Sequence, residues 1–187
     1  YKSRGNYINF LDSDDEAMHN HLSTANNLIL KTGLNVLHMG HNIKHKNKKI
    51  SNNPSGDLSI KMMYGNIMLP ISTFVSRELA LKIKFSENRD LSGSEDYLFW
   101  LKIIAYQKII GFSNITSNLI IHENRSMNAF DGDKNYLRQK VFWRELQADK
   151  KFIEKFSKYI NVIKASSYLL IALDYSIEKN FSILCFN

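Results

Sequence analysis

Short apolar runs separated by polar turns fill most of the chain, and helical stripes fill its last third. Residues 7–11, Tyr-Ile-Asn-Phe-Leu, form a mostly apolar run of strand length and read as a buried strand of a parallel sheet. The acidic run Asp12-Ser13-Asp14-Asp15 follows at once. Met18, Leu22, Ala25 and Ile29 then recur at helical spacing, with Asp14 or Asp15 as a candidate cap and Gly33 as the stop. Residues 36–39 read as the next strand. Strand, acidic turn, helix and strand in succession is an α/β order.

Residues 42–58 change character. Lys44, Lys46, Lys48 and Lys49 precede Ser51-Asn52-Asn53-Pro54-Ser55-Gly56-Asp57, which reads as a polar loop with turn chemistry. Residues 71–75 read as a strand entered from Pro70, and residues 77–82 as a short helix. Ser92-Gly93-Ser94-Glu95-Asp96 opens a stronger helix that carries Leu98, Leu101, Ile104 and Ala105. Either serine can cap it, and Ser92 with Glu95 fits a capping box. Residues 109–112 and 119–121 read as two further short strands. From Lys134 onward the pattern is helical, with Phe152, Phe156, Tyr159 and Ile163 on one stripe. There is no internal repeat.

Apolar residues make up 44% of the 187 positions and aromatics 12%, enough for a core, which excludes a disordered chain. The single cysteine, Cys185, excludes an internal disulfide and suits a reducing compartment. The expected setting is the cytoplasm, including the inner face of a membrane. No apolar run nears the ~20 residues that span a bilayer.

The formal charge is +7. Residues 1–133 hold 15 basic and 13 acidic residues, whereas residues 134–187 hold 10 and 5. The tail therefore reads as a lysine-rich solvated helix face, or as a surface for peripheral membrane contact. A basic anion- or nucleic-acid-binding domain is the rival that the charge suggests, but no nucleic-acid motif accompanies it, and no nucleic-acid partner is expected. His19, His21, His38, His41 and His45 match no zinc spacing and read as surface or half-buried side chains.

Asp12 and Asp14 put two carboxylates at the C-terminal end of a strand, where open α/β sheets bind ligands. Mg²⁺ and Mn²⁺ prefer oxygen donors and are commonly held by one or two carboxylates plus substrate phosphates. The run suits such a metal–diphosphate site. It equally suits an acid-rich helix N-terminus. An EF-hand is excluded because its sixth position would be Ala17 rather than glycine. Glu95-Asp96 carries the same two readings, a carboxylate able to accept a hydroxyl proton or an acidic first turn.

Taken together the motifs are more specific. The segment Gly5-Asn6-Tyr7-Ile8-Asn9-Phe10-Leu11-Asp12-Ser13-Asp14-Asp15 resembles the DxD segment of family 2 glycosyltransferases of the GT-A fold. Ser94-Glu95-Asp96-Tyr97-Leu98-Phe99-Trp100-Leu101 resembles that family's later Glu-Asp helix start, about eighty residues on. Residues 72–77 resemble the strand ending in a basic residue between them, and His122-Glu123-Asn124-Arg125-Ser126 the segment after the last strand. The resemblance covers residues 5–126. It implies a GT-A-like (Rossmann-like) mixed α/β sheet flanked by helices over residues 1–130, with a helical tail over 131–187.

The resemblance also implies roles. Asp14 and Asp12 would hold Mn²⁺ or Mg²⁺, Asp12 lying near the nucleotide ribose or the metal, with Asp15 supporting them and His122 as a further metal contact. Asp12, Asp14 and Arg125 would bind the nucleotide-sugar donor, a UDP-sugar by expectation. Asp96 would be the general base toward a glycan or lipid-linked acceptor, assisted by Glu95. Trp100 would contact an acceptor sugar, or else sit in the core. The reaction implied is an inverting transfer. The family's first strands and much of its uridine pocket have no counterpart before Tyr1, so an N-terminally truncated domain is expected. An inactive fragment serving as a folding or interaction module is the alternative that follows.

Overall fold

The computed structural model describes residues 3–122 and 132–185, with side chains through residue 177. The described residues form two compact units. Of these residues, the first draws on 3–60, 67–84 and 107–122, the second on 61–66, 85–106 and 132–185.

The first unit is a mixed sheet with helices. Its strands are β1 (Tyr7–Asn9), β2 (Glu16–Ala17), β3 (Val36–His45), β4 (Lys48–Asn52), β5 (Gly56–Asp57), β6 (Thr73–Ser76) and β7 (Ile110–Ile121). The order is β1-β6-β3-β7-β2, with β4 also on β3 and β5 also on β7. Among the described residues β3 and β7 pair parallel and the other pairings are antiparallel. Near its start β3 is buried on both faces, from Val36 to Asn42, as a central strand requires.

Gly40 sits at an irregularity between β3 and β7, where the register shifts on both sides of it. A Cβ there would lie 3.1 Å from the backbone oxygens of Asn52 and Ser113 and 3.2 Å from that of Asn114. Glycine lets three backbones close on one point.

Helix α1 (His21–Thr32) packs Ala25, Leu28 and Ile29 on Leu37, Met39 and Phe74. Each large side chain so buried contributes about 1.5–3 kcal/mol. Gly33 ends the helix with φ +65° and its N–H on the Ile29 carbonyl. Helix α2 (Arg77–Ile83) starts from Ser76, whose Oγ accepts the Leu79 N–H.

The second unit is helical. Helix α3 (Glu95–Tyr106) is nearly apolar all round, and it buries Leu98, Phe99, Trp100, Leu101, Ile103, Ile104 and Ala105. Around its core stand α4 (Gly132–Ala148), α5 (Lys150–Phe156) and α6 (Ile160–Cys185). Phe85 stacks on Phe99 at 4.2 Å, and Tyr97 on Phe142 at 5.4 Å. Phe152, Phe156 and Ile163 of the sequence stripe are buried. No helix among the described residues is long and apolar enough to cross a membrane.

Several expectations are corrected. The first strand is an antiparallel one on β6, at the end of the strand order, and is only half-buried. Asp14 and Asp15 do not cap α1, because β2 intervenes and Asn20 occupies the cap position. Residues 42–58 are no continuous loop: β3 and β4 form a hairpin, with Lys44 opposite Lys49. The two short strands predicted at 109–121 are one strand, β7. The capping box differs as well: the Glu95 carboxylate turns to Gly93 and Ser94.

Candidate active site

The acidic run lies between β1 and β2, both of which are pinned. At the end of β1, the Asn9 side-chain amide donates to the carbonyls of Ile71 (2.7 Å) and Thr73 (2.9 Å). Asn9 Oδ1 lies 3.2 Å from His21 Nε2, and His21 Nδ1 lies 3.0 Å from Thr116 Oγ1. Burial holds the His21 ring below its ordinary pKa. β1, α1 and β7 are thus linked just before the acids begin. On the far side, Glu16 of β2 accepts from Lys44 Nζ (2.9 Å) and Asn118 Nδ2 (3.0 Å).

Between these anchors the chain turns, with the Asp15 N–H on the Asp12 carbonyl at 3.2 Å. Asp15 Oδ1 accepts the Ile120 N–H of β7 at 3.2 Å. Asp14 Oδ2 lies 3.0 Å from Nε2 of His122, which follows the end of β7. Asp12 is exposed, whereas Asp14 and Asp15 are half-buried. One carboxylate oxygen from each of Asp12, Asp14 and Asp15 falls within 4.8 Å of the others.

Three carboxylates so close repel one another unless a positive charge joins them. An all-oxygen donor set at this separation fits a hard cation such as Mg²⁺ or Mn²⁺. His122 joins the group through Asp14 and orients its carboxylate, as partners of metal-binding side chains do. Among the described residues no group of histidines has the geometry of a metal site.

Glu95, Asp96 and Trp100 belong to the second unit. Gly93 takes a φ of +89°, and the Glu95 carboxylate accepts the N–H groups of Gly93 (2.6 Å) and Ser94 (2.9 Å) through Oε2. Asp96 accepts from the Tyr97 N–H (2.7 Å) and from Asn66 Nδ2 (2.9 Å). Both carboxylates are therefore held in place and half-buried rather than swinging in solvent. Tyr97 donates its hydroxyl to the Met62 carbonyl at 2.7 Å, and burial raises its pKa.

Trp100 is fully buried, edge-on to Phe85 and Phe99. A side chain with no exposed surface cannot contact an acceptor, so the core alternative is the correct one. Arg125 lies outside the described residues.

The sequence reading missed a seam of buried polar side chains in the first unit. Ser72 meets Ser117 at 2.8 Å, Asn42 donates to Asn118 at 2.9 Å, and His38 Nδ1 lies 2.8 Å from Thr73 Oγ1. His21, His38 and His41 are all at most 2% exposed, against the expectation of surface or half-buried rings. Desolvation lowers the His38 pKa to about 3 and that of His41 to about 4.

No protein-family model matches the chain, and no curated protein does. Solved structures do match. S. aureus TarS 1–349 in complex with UDP-GlcNAc is 17% identical with a TM-score of 0.59, covering 84% of this chain and 49% of that one. S. aureus TarS 1–349 is 20% identical with a TM-score of 0.53, over 75% and 40%. The same protein with UDP is 16% identical with a TM-score of 0.51, over 78% and 48%. The chain thus spans about half the length of the structures it matches, and the likeness shows its fold: an α/β architecture, a mixed sheet flanked by helices.

Proposed function

We propose that the chain is part of a family 2-type glycosyltransferase that moves a sugar from a UDP-sugar to a glycan or lipid-linked acceptor with inversion. The observation that carries this reading is the convergence of Asp12, Asp14 and Asp15 between two sheet-anchored strands, with His122 on Asp14. The fold likeness to a protein crystallised with UDP-GlcNAc and with UDP supports it.

Asp12, Asp14 and Asp15 would hold Mn²⁺ or Mg²⁺, which when bound supplies positive charge to the diphosphate leaving group. His122 keeps the Asp14 carboxylate in one orientation. Asp96 accepts the proton of the acceptor hydroxyl, and the oxygen so activated attacks the anomeric carbon. The bond from that carbon to the phosphate oxygen breaks on the opposite face, and the nucleoside diphosphate departs with the electron pair. Glu95, fixed by two backbone N–H groups, positions the acceptor beside the base. Much of the rate gain comes from orientation.

The test is calorimetric titration of the protein with UDP in the presence and absence of Mn²⁺. The reading expects Mn²⁺ to strengthen UDP binding, and Asp14→Asn to remove that gain. UDP binding that ignores both the metal and the substitution would sink the donor-site assignment.

A further inference from the structure

Helices α4 and α6 of the second unit lie side by side and run antiparallel. Asp133 and Asn135, near the start of α4, bond to Tyr175 and Asp174 of α6, and Lys164, near the start of α6, lies over the Trp143 ring. Phe142, Trp143 and Leu146 of α4 are buried, as are Ile163, Ser167 and Ile171 of α6. The opposite sides are exposed. Tyr136, Leu137, Lys140 and Arg144 share one side of α4 at helical spacing, and Tyr168, Leu169 and Leu173 share one side of α6. Passing round each helix in its right-handed sense, these residues follow the contact with the neighbouring helix. In an antiparallel pair that puts both sets on one face.

That face is apolar where a solvated helix pair would be charged. Leu137, Leu169, Leu170 and Leu173 are 50–62% exposed, and residues 165–173 hold no charged side chain. The charge around it has one sign. Residues 132–177 expose seven Lys or Arg side chains and two acidic ones, Asp133 and Glu154. The acids are largely taken up inside the unit: Asp133 by the Tyr175 hydroxyl at 2.6 Å, Asp174 by Asn135 at 2.6 Å and Glu145 by Ser86 at 2.8 Å. Lys140 Nζ rests over the Tyr136 ring at 4.4 Å, a cation and a half-polar ring side by side, as at a boundary between oil and water.

These features choose among occupants. A two-fold dimer through this face would bring Lys140 and Arg144 of both copies together. An acidic protein segment would pair the cations and leave the leucines in water. An anionic lipid surface takes both, the leucines in its acyl boundary and the cations at its phosphates. We propose that the outer face of the α4–α6 pair is a docking surface for an anionic bilayer. Leu137, Leu169 and Leu173 enter the interface, Tyr136 and Tyr168 sit at headgroup level, and Lys140 and Arg144 meet the phosphates. Neither helix is long and apolar enough to cross, so the pair lies in the plane of the membrane. None of these residues is assigned to the sugar transfer, so this surface and the donor site stand or fall separately.

The experiment is vesicle co-sedimentation of the chain with phosphatidylcholine alone and with phosphatidylcholine mixed with phosphatidylglycerol. The protein should bind the mixed vesicles, and added salt should weaken the binding. Leu169→Gln with Leu173→Gln should lower the partition constant about tenfold or more, and Lys140→Gln and Arg144→Gln about fivefold each. All four side chains are exposed, and an unchanged circular dichroism spectrum shows that each variant is folded. The proposal is overturned if the mixed vesicles leave the protein in solution, if neutral vesicles bind it equally, or if the variants bind as the wild type does. It is also overturned if Lys48→Gln with Lys49→Gln, on the β4 hairpin of the first unit, costs more binding than the tail variants. Sedimentation velocity without lipid supplies the remaining arm: a dimer that Leu169→Gln dissociates would assign the face to a second copy instead.

Discussion

His122 Nε2 lies 3.0 Å from Asp14 Oδ2 and so joins the end of β7 to the acidic turn 108 residues earlier in the chain. The contact requires a proton on Nε2, and it fixes which way the Asp14 carboxylate faces. Removing the imidazole leaves the three carboxylates but takes one fixed partner from Asp14. His122→Ala should therefore raise the Mn²⁺ concentration that half-saturates transfer by about 10–100-fold. A metal titration of activity checks it, and an unchanged half-saturation would remove His122 from the site.

The buried histidines make the fold sensitive to acid. Desolvation holds the folded-state pKa of His38 at about 3 and of His41 at about 4, and the charge of His41 lowers His38 further. Unfolded, both return to about 6.5. Below that pH the unfolded chain takes up protons that the folded chain refuses. The stability is therefore fully present above about 6.5 and is lost as pH falls toward the folded values. Urea denaturation at pH 7 and pH 5 should show the lower midpoint at pH 5, and His41→Gln should flatten the difference.

Gly40→Ala tests the junction of β3 and β7. Its Cβ would meet three backbone oxygens at 3.1–3.2 Å, and backbone moves less readily than a side-chain end. The variant should lose roughly 1–3 kcal/mol of stability. Thermal denaturation reports it, and a melting temperature equal to the wild type would mean the strands separate more easily than this packing implies.

Trp100 separates a structural role from a binding role. Trp100→Ala should cost about 3–5 kcal/mol, as for other large buried aromatics. Trp100→Phe, which keeps most of the volume, should leave the acceptor KM unchanged. A raised KM in a stably folded Trp100→Phe protein would return the residue to the acceptor site.

The helices were readable from the sequence because their signals are local. The spacing of Ala25 and Ile29, the stop at Gly33 and the apolar face of α3 need no knowledge of distant residues. The sheet was harder, since pairing is set by partners far along the chain. Residues 7–9 carry a buried-strand pattern, yet they pair antiparallel with β6, and nothing within the run encodes that direction. β4 is exposed at every position, so its lysines looked like loop. Ser113 and Asn114 interrupt the apolar pattern of β7 on its exposed stretch and made one strand look like two.

The candidate site divides the same way. The carboxylates of Asp12, Asp14 and Asp15 are neighbours in sequence, so their clustering followed from the turn. Asn9, His21 and Thr116, which hold that turn, come from three elements and share no motif. Trp100 was ambiguous because aromatic residues serve cores and sugar sites alike, and burial alone decides.

Asp14 and Asp96 are proposed to serve one sugar transfer from a nucleotide donor. The most direct measurement is UDP release from UDP-GlcNAc and other UDP-sugars by the protein with Mn²⁺ and a glycan acceptor, compared across the wild type, Asp14→Asn and Asp96→Asn. Each substitution should lower turnover by about 10²–10⁴-fold while the protein stays folded. Wild-type turnover in both variants would contradict the account.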